Sequence, residues 1–351
     1  METTKYVLKD LLTIKNGKDH KALADGPYPV FGTGGVMRYA EKYLYDKVSI
    51  LLPRKGTLSN IQYVDQPFWT VDTIYYTVVN EKLADPYYLF CYVNSLDLSG
   101  YDSGASIPSM TQKAYNKIKI NLPDKETQKS LGEAIKAYDE LIANNNNRIR
   151  LLEQMAENLY KEWFVRFRFP GYETAEFENG IPKDWGYVKL DKVLTVLYGK
   201  DHSKLEDGDV PVYGSGGIMR YGNRALYEGE SVLIPRKGSL NNIMWVNCPF
   251  WTVDTMFYTK ALIPNVEKYI YYVLSSLDMA SYNTGAALPS MTTDILYHLK
   301  IALPSTSLLA KFDAIVSDLY EQRTLLENKN KNLIKQRGLL LPRLMSGKLE
   351  V

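Results

Sequence analysis

Between Pro123 and Pro170 the chain runs 46 residues with no proline and a single glycine, Gly132. Its apolar positions alternate steps of four and three: Leu131, Ile135, Tyr138, Ile142, Asn145, Ile149, Leu152, Ala156, Leu159 and Trp163. A seam with that spacing belongs to a helix lying along a partner helix. It predicts one helix from about Lys125 to Phe167, roughly 60 Å long at about 1.5 Å per residue. A second such stretch runs from Ser307 to Ser346, with its seam through Leu309, Phe312, Val316, Leu319, Arg323, Leu326, Asn330, Leu333, Arg337, Leu340 and Leu344. Asn145 and Asn330 each interrupt a seam near its middle. An antiparallel pairing centred there brings the two together, and a polar pair in an apolar seam sets register at some cost in stability.

Ahead of each helix the pattern changes. Residues 1–123 hold short β-branched and aromatic runs broken by Gly and Pro: Ser49–Leu52, Ile61–Val64, Ile74–Val79 and Ile118–Ile120 read as strands. Pro86 to Leu98 reads as a short helix with proline at its start. Residues 168–187 carry turn residues and acidic charge and read as an exposed connection. The organisation is therefore α+β: a module over 1–123, a long helix over 124–169, a second module over 170–304 and a long helix over 305–351.

The second module copies the first. Val30-Phe-Gly-Thr-Gly-Gly-Val-Met-Arg-Tyr39 returns as Val212-Tyr-Gly-Ser-Gly-Gly-Ile-Met-Arg-Tyr221, and Pro67–Thr73 returns unchanged as Pro249–Thr255. Gly104–Thr111 returns as Gly285–Thr292. From Val30 to Val79, 28 of 50 aligned positions are identical. The loops match best, whereas packing alone would let loops drift.

Composition narrows the possibilities only a little. A net charge of +2 neither demands nor excludes nucleic acid, so a DNA-binding face must come from local clustering. Cys91 and Cys248 fall at unmatched places in the two copies and argue for a reduced, cytoplasmic protein without a disulfide frame. With His20, His202 and His298 they form no recognised zinc spacing, so no metal site is expected. Met1 to Asp10 hold no apolar run, so no signal peptide is expected, and no apolar run is long enough to span a membrane.

The sharpest candidate chemistry is the turn Pro53-Arg54-Lys55-Gly56-Thr57-Leu58-Ser59-Asn60 and its twin Pro235–Asn242, with Arg236, Lys237, Asn241 and Asn242. Two adjacent cations followed by hydroxyl and amide groups suit phosphates and base edges together. The plain alternative is a solvated basic hairpin. A second candidate is Lys18-Asp19-His20-Lys21 with its copy Lys200-Asp201-His202-Ser203, where cations flank an imidazole. The Gly32–Gly35 segment serves positive-φ turns, with Arg38 and Arg220 within reach of a phosphate. Trp69, Asp72 and Thr73 read as a buried indole beside a carboxylate that orders the loop. Asp65-Gln66-Pro67-Phe68 and Asn247-Cys248-Pro249-Phe250 are similar to the Asn/Asp-Pro-Pro-aromatic motif of amino-methyltransferases, but both lack the second proline. No Ser-His-Asp, Cys-His or paired-carboxylate arrangement stands out, so no catalytic residue is assigned.

Taken whole, the chain resembles the specificity subunits of Type I restriction–modification systems. The resemblance rests on Leu339-Leu-Leu-Pro-Arg-Leu-Met-Ser-Gly347, Leu159-Tyr-Lys-Glu-Trp-Phe164, Gly180-Ile-Pro-Lys-Asp-Trp185 with Val188-Lys-Leu190, and Ile120-Asn-Leu-Pro123 before Gln128. It implies two target recognition domains, each reading half of a bipartite site in double-stranded DNA. It also implies an antiparallel coiled coil that separates the domains, gives them pseudo-two-fold symmetry and docks two modification subunits. Those subunits carry S-adenosylmethionine and methylate adenine N6, and restriction subunits using Mg/ATP can join them. The chain itself would hold no cofactor and catalyse nothing. The family's recognition domains usually differ strongly within one subunit, whereas these two are close copies, so nearly palindromic half-sites around a fixed unread spacer are expected. Two rivals remain at this level. One is a specificity subunit of a Type II-like system, which operon neighbours would reveal. The other is a structural coiled-coil protein with duplicated heads for other ligands, which would show no salt-dependent DNA binding when assembled with a methyltransferase subunit.

Overall fold

The computed structural model describes residues 2–98, 108–283 and 289–345. The chain divides into two compact units, residues 1–145 with 328–351, and residues 146–327. Each unit holds one module and one end of both long helices.

In the first unit Leu12–Asn16, Ile74–Val79, Ser49–Pro53 and Gln62–Val64 form a four-stranded antiparallel sheet in that order. Ile50, Leu51 and Leu52 are fully buried, because consecutive apolar residues in this strand face cores on both sides of the sheet. A three-stranded sheet of Gly35–Ala40, Tyr28–Gly32 and Trp69–Thr70 lies beside it, with Val30 and Trp69 in parallel register. This second sheet carries the glycine-rich segment, so Gly32–Gly35 closes a hairpin. The N-terminal strand Thr4–Val7 pairs antiparallel with Lys119–Leu122, tying the start of the module to its end. The short helix is Pro86–Asn94; Asp85 caps it by accepting from the Tyr88 amide at 2.9 Å.

The second unit repeats this topology strand for strand. Leu194–Tyr198, Met256–Ala261, Glu230–Pro235 and Met244–Asn247 make the larger sheet, and Gly217–Gly222, Val210–Gly214 and Trp251–Thr252 the smaller. Gly186–Lys189 pairs with Lys300–Leu303 to close the module.

The first long helix spans Lys125–Tyr160 and continues as a π-helical turn over Lys161–Val165; the second spans Thr306–Met345. Every seam position of the first is buried or half-buried, as is every described one of the second. Within each unit the helices run antiparallel. In the first unit Asp139 meets Arg337, and Asn145 Nδ2 donates to Asn330 Oδ1 at 2.8 Å in a buried contact. In the second, Trp163 and Phe164 pack on Phe312, and Arg323 lies 3.5 Å from Glu153.

One expectation needs correcting. The segment 168–187 is not wholly an exposed connection. Asn179 and Gly180, both at positive φ, turn a hairpin between Phe177–Glu178 and Ile181–Pro182, and Trp185 is buried against Phe164, Phe167 and Phe169. Three nearby aromatic rings supply apolar area that outweighs the acidic composition of the stretch. Residues Gly104–Ile107 and their counterparts Gly285–Leu288, together with Ser346 and Gly347, lie outside the described residues.

Candidate nucleic-acid interface

The basic turn is built where the buried strand Ser49–Pro53 leaves the sheet. Gly56 takes φ +92° and Gly238 φ +86°, which lets the chain reverse directly behind the cations. The Arg54 and Lys55 amides both donate to Thr73 O, and the Gly56 amide donates to Pro108 O. Arg54 Nη1 reaches Asp72 O at 3.2 Å. Asn60 Nδ2 donates to Thr33 O at 2.5 Å, which ties the turn to the glycine hairpin. The twin is held the same way. Arg236 and Lys237 donate to Thr255 O, Arg236 Nη1 to Asp254 O at 3.2 Å, and Asn242 Nδ2 to Ser215 O at 2.8 Å.

The Lys-Asp-His loop lies against the same place. A Cβ on Gly17 would sit 2.0 Å from Val71 O, and one on Gly199 2.0 Å from Val253 O, so only glycine allows this approach. The Lys18 amide donates to Thr70 O, and Trp69 Nε1 donates to Lys18 O at 2.9 Å. Lys200 and Trp251 repeat both bonds. A hydrogen bond from the Lys21 amide holds the Asp19 carboxyl below its usual range; the Ser203 hydroxyl does the same for Asp201. His20 Nδ1 and His202 Nδ1 are shielded from solvent without an intramolecular partner among the described residues.

These separately read stretches meet in one cleft of the first unit, walled by Asp19, His20 and Lys21, by Thr33, Gly34 and Met37, by Lys55 and Gly56, and by Val71–Thr73. Lys18, Lys21, Lys55 and Lys200 are exposed, while Arg54, Arg236 and Lys237 are half-buried. Cations, an imidazole and backbone dipoles on one rigid rim can grip phosphates and present donors to base edges.

Other candidates are spoken for inside the fold. Arg38 Nη2 donates to Leu23 O at 2.9 Å and pairs with Asp25 at 2.7 Å; Arg220 does so with Leu205 O and Asp207 at 2.9 and 3.1 Å. Both arginines thus fasten the Lys-Asp-His loop to the hairpin. Asn241 bridges Asp278 and the Ala280 amide; it and its counterpart Ser59 are both exposed. The loop at Asp72 is ordered by its backbone carbonyl: the carboxylate is exposed, and Trp69 is only half-buried, although its counterpart Trp251 is buried as expected. The methyltransferase-like fragments serve as packing, since Phe68 and Phe250 are fully buried in the cores of their units.

Sequence reading missed the hairpin's own side chains. Val36, Met37 and Tyr39 stand exposed on Gly35–Ala40, as do Ile218, Met219 and Tyr221 on Gly217–Gly222; Met37 and Met219 are 59% and 58% accessible. The signal was present in the matching Val-Met-Arg-Tyr and Ile-Met-Arg-Tyr runs, but strand alternation alone did not say which face meets solvent. A two-stranded ribbon with an apolar tip beside cations fits the width of a DNA major groove.

Among the described residues no group of His, Cys, Asp or Glu is placed to hold a metal ion, and no helix is long and apolar enough to cross a membrane. Cys91 and Cys248 are free thiols; burial raises both, Cys91 to about 12.

A duplicated α+β module mounted on paired long helices, with one basic cleft built from repeated loops, defines a class of DNA-recognition protein. The family model described as "Type I restriction modification DNA specificity domain" matches residues 2–154 and again 182–336. The chain belongs to this family, and its role is that of a Type I specificity subunit that recognises the DNA target. It is 22% identical over 346 residues to the Type I restriction enzyme MjaIX specificity subunit of Methanocaldococcus jannaschii, across 88% of this chain and 79% of that one. To the MjaVIII specificity subunit of the same organism it is 25% identical over 341 residues, across 86% and 76%. The crystal structure of a Type I restriction–modification S subunit from M. genitalium shares the fold, with a TM-score of 0.76, 17% identity and coverage of 98% and 96%.

Proposed function

We propose that each unit reads one half of a bipartite double-stranded DNA target through its cleft, and that the two half-sites are nearly the same sequence, inverted and separated by unread base pairs. The observation that carries this reading is the convergence of the repeated loops: the Lys-Asp-His loop, the glycine hairpin and the basic turn share one rim held by the same hydrogen bonds in both copies. The DNA-contacting set comprises Lys18, Lys21, Arg54 and Lys55 with Lys200, Arg236 and Lys237. His20 and His202 stand behind it, and Met37 and Met219 lead the ribbon.

The chain itself catalyses nothing and works in the cytoplasm. Two modification subunits carry S-adenosylmethionine and transfer methyl groups to adenine N6 at the site this chain selects. Restriction subunits with Mg/ATP join where the system cuts unmodified DNA. Exposed apolar side chains on the helices, Leu141, Ile334 and Leu339 in one unit and Leu151, Met155, Ile315 and Leu325 in the other, offer each modification subunit a docking stripe.

Charge reversal tests the reading. With modification subunits present, R54E/K55E is expected to abolish methylation through one half-site and R236E/K237E through the other. A lost base contact costs about 1–3 kcal/mol, to which reversal adds a salt-dependent penalty. If both variants fold and methylate at the wild-type rate, the turns are solvated hairpins.

A further inference from the structure

Next to the basic turn, where the Met110 amide donates to Arg54 O and the Met291 amide to Arg236 O, the two units differ at one side-chain pair. The larger sheet's first strand ends at Asn16 in one unit and Tyr198 in the other, two positions equivalent in register: Asn16 pairs with Tyr75, and Tyr198 with Phe257. Opposite stands the first residue of the short helix after the cleft, Gln112 or Thr293, each following a threonine N-cap. In the first unit Gln112 Nε2 donates to Asn16 Oδ1 at 3.0 Å. In the second, the Tyr198 and Thr293 hydroxyls lie 3.5 Å apart, and the Arg236 guanidinium stacks over the Tyr198 ring at 5.3 Å. Asn16 and Tyr198 are exposed.

Resting on the reading that the clefts face DNA, we propose that this side-chain pair, Asn16–Gln112 against Tyr198–Thr293, is what makes the two half-sites differ. The arginine common to both clefts reads the same base in each. The interlocked amides leave Asn16 Nδ2 as a donor and Gln112 Oε1 as an acceptor without intramolecular partners among the described residues. That combination complements the N7 acceptor and N6 amino donor that adenine shows in the major groove. Tyrosine and threonine present hydroxyls and a ring face instead, and the ring also confines Arg236. Of the other differences, Gln62 Nε2 is taken up by Gly32 O and Asn241 by Asp278 and Ala280, while Lys21 in the wall of the first cleft is Ser203 in the second copy, an exchange that alters a phosphate-directed charge rather than a base-reading pair.

Adenine-methylation mapping of the full chain with its modification subunits tests the pair, comparing wild type with N16Y/Q112T and, separately, Y198N/T293Q. The wild-type target is expected to have half-sites that differ at one base pair, with an A·T pair in the half read by the first unit. Each exchange variant is expected to shift preference at that pair by about tenfold or more, making the two half-sites alike. Unchanged preference in either folded variant overturns the inference. Loss of methylation in both also overturns it, because each imported pair already fits the other copy and ought to redirect reading rather than destroy it. R54E/K55E separates this from the underlying reading. Wild-type methylation by that variant removes the cleft from DNA altogether; its loss, with exchange variants that keep the wild-type target, removes only the role of the pair.

Discussion

The two units are alike where they face outward and different where each module meets its helices. Around the cleft the bonds that hold the shared loops recur, from Trp69 and Trp251 on the lysine carbonyls to Asn60 and Asn242 on the hairpin. At the joint they do not. In the first unit Tyr87 donates to Asp139 at 2.7 Å, and Asp139 also pairs with Arg337. In the second, Lys268 is 2% accessible and sits between Glu230 at 2.9 Å and Asp313 at 2.7 Å, with Trp245 beneath its ammonium at 5.2 Å. Tyr272 and Tyr320 share a hydrogen bond of 2.6 Å where the first unit uses Tyr and Asp. A joint needs only to fill space and satisfy its polar atoms, which many residue sets achieve. A reading surface must present particular donors at particular points, so copies that read nearly the same bases keep the same residues.

The sharpest way to break this contrast is at the joint of the second unit. Lys268→Ala strands two carboxylates in a largely buried site and is expected to cost about 3–5 kcal/mol, seen as a large fall in Tm, while the methylated sequence stays the same. A changed target would make the joint part of the reading surface. The counterpart in the first unit is gentler: Tyr87→Phe removes one hydrogen bond from the Asp139 carboxylate, which keeps Arg337, and is expected to cost about 1.5–3 kcal/mol in a denaturant titration. At the clefts the order of effects reverses. Met37→Ala or Met219→Ala is expected to leave stability within about 0.5 kcal/mol, as for exposed sites generally, yet weaken DNA binding by the assembled complex to a similar extent in either unit. Unequal losses would show that the matching ribbons are used differently. The smallest expected change concerns the helix seam. Leucine at both Asn145 and Asn330 removes a buried polar pair together and is expected to be neutral or to raise Tm by a few degrees; a large drop would mark the pair as the main clamp of the first unit.

Much of the architecture was legible because it follows from spacing. The strand Ile74–Val79 forms over the expected residues, and the long helices begin at Lys125 and Thr306, within a residue of where the seam places them. The aromatic packing of Trp185 was not legible, because acidic neighbours in sequence say nothing of rings that arrive from Phe164 and Phe169. Arg38 shows the same limit. Its cationic character was plain, but its commitment to Asp25 and Leu23 O depends on a loop 13 to 15 residues away folding back upon it.

By itself the sequence determined the duplication, the two long helices and their seams, and which loops resisted drift between copies, since periodicity and repetition are properties of the linear chain. Only the tertiary structure decided that those loops share one rim, that the Val-Met-Arg-Tyr ribbon turns its apolar side chains outward, and that Asn16 and Gln112 meet beside Arg54's turn. Those facts depend on contacts across dozens of residues, set by how two sheets pack and where a glycine such as Gly17 lets one backbone lie against another.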